Sequence, residues 1–217
     1  MSLTEAEHVF AGLNEDAAND FLNALFTTRP RYLNYGSPFF VPMTTVDATQ
    51  TGAIPFPGIP TGIQWAISFE IPVIDFHPDS SGGLPPPLVL DNGMFSVNTK
   101  ATLRLGCMRR EIIWGKRQTH LAPLETTLGV WAVGKPSVVK SAPGVGRVGL
   151  ELEAVEIVDI KPDSLEKLLE CLVRMVLQSA LDQASIPFRM ITAGAFKLIL
   201  TRGPEIEDDQ VKLYGDV

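Results

Sequence analysis

The chain has 217 residues, enough for one large domain or two small ones. Hydrophobic residues make up 45%, so a sizeable core is available, and a formal net charge of −7 argues against a general attraction to nucleic acid or to an anionic membrane. No apolar run reaches the roughly 20 residues that span a bilayer, and the opening MSLTEAEHVF has no basic region followed by an apolar one, so the expected location is the cytoplasm.

Two short N-terminal helices are expected. The first covers about Thr4 to Ala11 and stops at Gly12. The second starts at Asn14, a good N-cap, with Glu15 and Asp16 in its first turn. Its apolar residues Ala18, Phe21, Leu22, Leu25 and Phe26 follow helical spacing, and Pro30 marks its end. Residues 30–62 are dense in Pro and Gly and read as one long loop, either packed by its own Phe and Ile residues or docked on a partner.

The period then changes to two. In IQWAISFEIPV the residues Ile63, Trp65, Ile67, Phe69, Ile71 and Val73 alternate with smaller or polar ones, which predicts a long half-buried strand. FSVNTKATLRLGC alternates more cleanly, with Phe95, Val97, Thr99, Ala101, Leu103, Leu105 and Cys107 on one face. Such alternation suits an antiparallel sheet with one dry face. Further strands are expected at Glu111–Trp114, Leu124–Val133, Gly149–Ile160, Ala195–Arg202 and Gln210–Gly215, the last two joined by the acidic turn GPEIEDD. No repeat or composition break divides the chain, so residues 1–217 read as a single domain.

The segment DSLEKLLECLVRMVLQSALDQ predicts a helix over 163–183. Asp163 and Glu166 form a capping box. Glu166, Glu170, Arg174, Gln178 and Asp182 make a narrow polar stripe, and most other positions are apolar. A helix lying on a flat sheet needs an apolar arc of about 100°. Burying six large side chains contributes roughly 9–18 kcal/mol gross. The expectation is therefore a helix wrapped by sheet, dimerised or occupied by ligand. Cys107 and Cys171 are far apart and lack metal-type spacing, so both read as buried thiols.

Catalytic motifs do not survive inspection. Gly144, Gly146 and Gly149 spell G-x-G-x-x-G, but a strand follows them where a dinucleotide site needs a helix. Ser137 and Lys140 spell S-x-x-K without the partner motifs of acyl-transferring enzymes. Asp75, His77 and Asp79 are the best metal or acid/base group, yet His8 and His120 have no helpful spacing, so a polar strand end is favoured. Glu205, Glu207, Asp208 and Asp209 lack a calcium-loop pattern and read as a solvated turn. No cofactor, metal site or stacking surface for nucleic acid is expected.

The element order resembles the tubular lipid-binding (TULIP) superfamily, which includes bactericidal/permeability-increasing protein. The likeness is carried by LNEDAANDFLNALF, FSVNTKATLRL, the 163–183 helix and the ending IPFRMITAGAFKLILTRGPEIEDDQVKLYGDV. It implies an α+β fold in which a long, strongly curved antiparallel sheet wraps a long hydrophobic C-terminal helix, with N-terminal helices. It also implies a lipid or other elongated apolar ligand in the seam, and the absence of a convincing catalytic motif makes a non-enzymatic binder the expectation. Candidate ligand-binding residues are Ile67, Phe69, Leu103, Leu105, Leu172, Met175 and Val176. The alternative is an interaction or assembly protein with a filled core, which docks a protein partner through residues 30–62 and their aromatics Tyr32, Tyr35, Phe39, Phe40 and Phe56.

Overall fold

The computed structural model describes residues 9–42, 46–76, 83–113, 116–142, 145–158, 163–189, 191–193, 196–207 and 209–216. Within them, side chains are described outside 107–123, 140–142, 163–166, 168, 188–193 and 196–201.

In chain order the elements are β1 (Val9–Asn14), α1 (Glu15–Thr28), a 3-10 turn (Pro30–Tyr32), β2 (Asn34–Gly36), β3 (Thr49–Gln50), β4 (Ile54–Phe56), β5 (Ile59–Phe69), β6 (Val73–Asp75), β7 (Phe95–Ile113), β8 (Lys116–Ala142), β9 (Val145–Val158), α2 (Asp163–Gln183), β10 (Ile186–Arg189), β11 (Ile191–Ala193), β12 (Phe196–Glu207) and β13 (Gln210–Asp216). The larger sheet runs β10-β9-β8-β7-β5-β2-β3, with β4 beside β5 and β6 beside β7, and it curls into a half-barrel. A second sheet has the order β1-β13-β12-β11.

The curl has a local cause. Val133 pairs with Ala154 and Gly134 with Leu152, which leaves Glu153 as an extra residue on β9. Such a bulge bends its strand and raises the local twist. Gly134 is required there, because a Cβ would collide with the Glu151 carbonyl and lie 2.8 Å from Phe95 Cζ.

Helix α1 follows from its cap and its face. Asn14 Oδ1 accepts from the Ala17 N–H at 3.0 Å, satisfying one of the helix's orphan donors. Ala18, Leu22 and Phe26 form its buried side. Asn19 then binds β6 edge-on: its Nδ2 donates to the Ile74 carbonyl and its Oδ1 accepts from the Ile74 N–H, both at 2.8 Å.

Helix α2 uses the same device on a larger scale. Beyond Val148, β9 has no neighbouring strand on its outer side among the described residues. Gln178 Oε1 accepts from the Leu152 N–H at 2.8 Å, and its Nε2 donates to the Leu150 carbonyl at 3.0 Å. Arg174 donates to the Leu152 carbonyl at 2.8 Å. Exposed strand edges cost paired hydrogen bonds and invite association, and here two side chains close one. The opposite face, with Leu169, Val173, Val176, Leu177, Ala180 and Leu181, is buried in the main core with α1 and the large sheet.

These features overturn the expected architecture. The chain is predominantly β-sheet, and it does not wrap a hydrophobic C-terminal helix behind a pair of N-terminal helices. Val9–Ala11, expected in a first helix, belong to β1 and pair antiparallel with β13, while Thr4–His8 lie outside the described residues. Helix α2 precedes four strands, and its sides are unequal. Met175 is 61% exposed, Cys171 is exposed and Leu172 is half-buried. The apolar count exaggerated its need for cover because protein surfaces carry many apolar atoms. The narrow polar stripe supplies Arg174 and Gln178 to β9.

The described residues of 30–62, which exclude 43–45, are likewise more ordered than a loop. Ser37 is fully buried; its Oγ donates to Gln64 Oε1 at 2.7 Å and accepts from the Trp65 N–H at 3.0 Å. Trp65 Nε1 donates to the Gly52 carbonyl at 2.9 Å, and Gln50 Nε2 to the Val41 carbonyl at 2.8 Å. These bonds hold β2 and β3 against β5.

Candidate ligand-binding site

An apolar pocket opens where both helices meet the two sheets. Helix α1 supplies Ala18, Phe21 and Leu22, and the end of α2 supplies Leu181 and Ala184. The rest of the wall comes from Ile74 and Phe76 at β6, Val148 to Leu150 of β9, Ile186 of β10, and Leu13 and Val211 of the smaller sheet. Among the described residues no polar side chain contributes to it.

Local sequence explains why this corner stays apolar. The α1 face repeats at i, i+3 and i+4, so Ala18, Phe21 and Leu22 point the same way. At α2's other end, Ala184 closes the last turn with its N–H donating to the Leu181 carbonyl at 2.9 Å. Phe21 and Ile186 are each more than two-fifths exposed, so both carry apolar area to the surface. The free volume is about 50 Å³. One water needs about 10–15 Å³ on that measure, so the pocket fits the end of a chain rather than a whole lipid.

A perturbed carboxyl lies near this corner. Glu15 accepts from the Phe76 N–H at 3.0 Å. Burial pushes its pKa up; the hydrogen bond opposes this, while Asp75, Asp209 and Asp16 add repulsion. Of the metal candidates, Asp75 is described, whereas His77 and Asp79 lie outside the described residues. Among the described residues no group of three or more His, Cys, Asp or Glu is placed to hold a metal ion.

The seven residues singled out from sequence lie apart from this pocket. Ile67 and Leu103 are directly paired across β5 and β7, and both are buried in the main core with Phe69 and Val176. Leu105 and Leu172 pack against that core half-buried, and Met175 faces solvent. Sequence reasoning missed the pocket because its wall comes from seven separate elements. The one available signal was the apolar face of α1, whose spacing predicts a helix but not what that face lines.

Of the aromatics proposed for docking, Tyr35 is buried and Tyr32 and Phe40 are half-buried, while Phe39 and Phe56 are exposed. The β4–β5 hairpin turns at Pro57-Gly58, where Gly58 has φ +83°, and it presents Ile54 and Phe56 at the surface. Among the described residues no helix is long and apolar enough to cross a membrane.

No protein-family model matches the sequence, and no curated protein matches it. Among solved structures, the crystal structure of lipopolysaccharide binding protein aligns with 100% of this chain and 41% of that one, at 11% identity and a TM-score of 0.28. The chain thus spans about two fifths of that protein's length, and a TM-score so low carries no argument about fold or function.

Proposed function

We propose that this protein is a non-enzymatic binder of a hydrophobic small molecule, such as a lipid acyl chain, and that the pocket between α1 and the end of α2 receives it. The observation that carries this reading is a wall lined by apolar side chains and glycine. A polar ligand would lose its water hydrogen bonds there without replacement, at a cost of several kcal/mol. Each buried methylene contributes about 0.8 kcal/mol, so a short chain end gains only some 3 kcal/mol in the pocket as it stands. Tight binding therefore requires the rim to open at Phe21 and Ile186. A longer chain would continue along the α2–sheet seam toward Val176, Ile67 and Leu103, the region first proposed for ligand together with Phe69, Leu105, Leu172 and Met175.

The test is displacement of a fluorescent polyene fatty acid from the purified protein. Ile186→Asp places a charge at an exposed rim position and should weaken binding at least about tenfold with little change in melting temperature. A wild-type protein that ignores the probe, or a variant that binds equally well, would sink the proposal.

A second reading is assembly through the β4–β5 tip. It is favoured by exposed Ile54 and Phe56 within a stretch, 48–69, that carries no charged residue. Interface centres are likewise depleted in charge. Sedimentation of wild type should then rise with concentration, and that of Ile54→Ser/Phe56→Ser should not. Identical, concentration-independent sedimentation of both would remove this reading.

A further inference from the structure

On the other side of α2's last turns lies a second cleft, with different chemistry. Ser179 and Gln183, four residues apart on the helix, form one wall. Arg31, Tyr32 and Tyr35 form the facing wall, and Val46 and Ala48 add an apolar margin. The lining of this cleft shares no residue with the apolar pocket.

Two guanidinium groups converge at its edge. Arg29 Nη1 and Arg31 Nη2 each donate to Tyr32 Oη at 3.4 Å. Both bonds are longer than the usual range of about 2.7–3.2 Å and both arginines are exposed, so the hydroxyl holds the two guanidiniums loosely, with that of Arg31 also 5.1 Å from the Tyr32 ring centroid. Neither arginine forms an ion pair among the described residues, although the chain carries a net charge of −7. Their backbones are fixed: the Arg29 N–H donates to the Leu25 carbonyl at 2.9 Å, and the Arg31 carbonyl accepts from Thr49 Oγ1 at 2.8 Å. The local field is positive enough that hydrogen bonds from Arg31, then Arg29, pull the Tyr32 hydroxyl pKa below its usual value. The carboxylate of Asp182 bears on Tyr35 and accepts a hydrogen bond from Gln178, and exposed Asp47 lies between the two apolar margin residues. Both acids oppose an anion weakly and set a limit on affinity.

We propose that this cleft binds the phosphate group of a small molecule, with the guanidiniums of Arg29 and Arg31 holding the oxyanion. Arginine forks match phosphate oxygens with short, charge-assisted bonds, and two of them suit a dianion. The Tyr32 hydroxyl, freed from accepting two weak bonds, donates a third. Ser179 and Gln183 contact the polar remainder, and Val46 and Ala48 any apolar part.

Calorimetric titration of the full chain with inorganic phosphate and with glycerol 3-phosphate tests this. Saturable binding is expected, weakened at least about tenfold in Arg29→Gln/Arg31→Gln and by a few-fold in Tyr32→Phe, with melting temperatures unchanged. Co-sedimentation with phosphatidylcholine vesicles, with and without phosphatidic acid, separates the sources. Arginine-dependent pelleting only with phosphatidic acid identifies a lipid headgroup, and saturation by the soluble phosphates without pelleting identifies a free metabolite. Failure of both soluble phosphates and phosphatidic acid to bind would overturn the proposal, as would binding that survives in the double arginine variant.

Discussion

Replacing Gln178 with Leu should expose how strongly the large sheet depends on a helix side chain. The substitution keeps similar bulk and favours helix, so local propensity is unchanged. It removes the partner of the Leu152 N–H at 2.8 Å and of the Leu150 carbonyl at 3.0 Å. Each net hydrogen bond is worth about 0.5–1.5 kcal/mol, and an orphaned buried group costs more. Both bonds are part-buried, so water recovers some of the loss. The expected cost is about 2 kcal/mol, or a fall of roughly 4–8 °C in melting temperature for a chain of this size. Hydrogen exchange supplies the local readout: the Leu152 amide should exchange roughly 30-fold faster. Gln178→Glu keeps the bond to Leu152 but turns a carboxylate toward the Leu150 carbonyl and Asp182, so it should be at least as harmful. If Leu152 protection is unchanged and the melt moves by less than about 1 °C, α2 does not close the β9 edge.

Three further outcomes test the packing. Leu177→Ala, at a fully buried position, should cost about 2–5 kcal/mol in denaturant unfolding, and Met175→Ala less than about 0.5; equal costs would restore the picture of a helix covered on all sides. Gly134→Ala should cost about 1–3 kcal/mol because its methyl group meets the Glu151 backbone, and a neutral result would mean that the bulge relaxes freely. For Glu15 the folded pKa is raised, so the folded state holds the proton more tightly, and that contribution to stability is lost as pH rises from the ordinary carboxyl value of 4.5 through the higher folded one. Glu15→Gln, which retains an acceptor for Phe76, should therefore gain stability relative to wild type between pH 4 and 7, and a difference that shrinks with pH would contradict the burial argument.

Elements whose stability is local were legible in the sequence. Asn14 followed by Glu15 and Asp16 marked the start of α1, and the cap bond is present. Alternation in β7 placed Phe95, Val97, Ala101 and Leu103 on the buried face. What escaped depends on distant partners. VFAGLN carries no strand period, and it becomes β1 because β13 pairs with all six of its residues. Strand β8 continues through Gly134, which both β7 and β9 flank, and through Pro136, which pairs with Leu150 of β9, although both are normally interrupting residues. The strands within 30–62 rest on Ser37 and Trp65, whose bonding no local pattern announces. Asn19 and Gln178 carry no local sign of their bonding, since only the fold places strand-edge amides beside them. The apolar pocket escaped for the same reason, since its walls converge from both helices and both sheets.

The central claim is that the corner enclosed by α1, the end of α2 and β9–β10 accepts a hydrophobic chain. Methyl-labelled NMR during titration with palmitate addresses it directly. Saturable shifts should appear first on Leu22, Ile74, Leu150, Leu181 and Ile186, while exposed Leu124 on β8 stays still. Shifts scattered over the exposed apolar surface without saturation, or none at all, would contradict it.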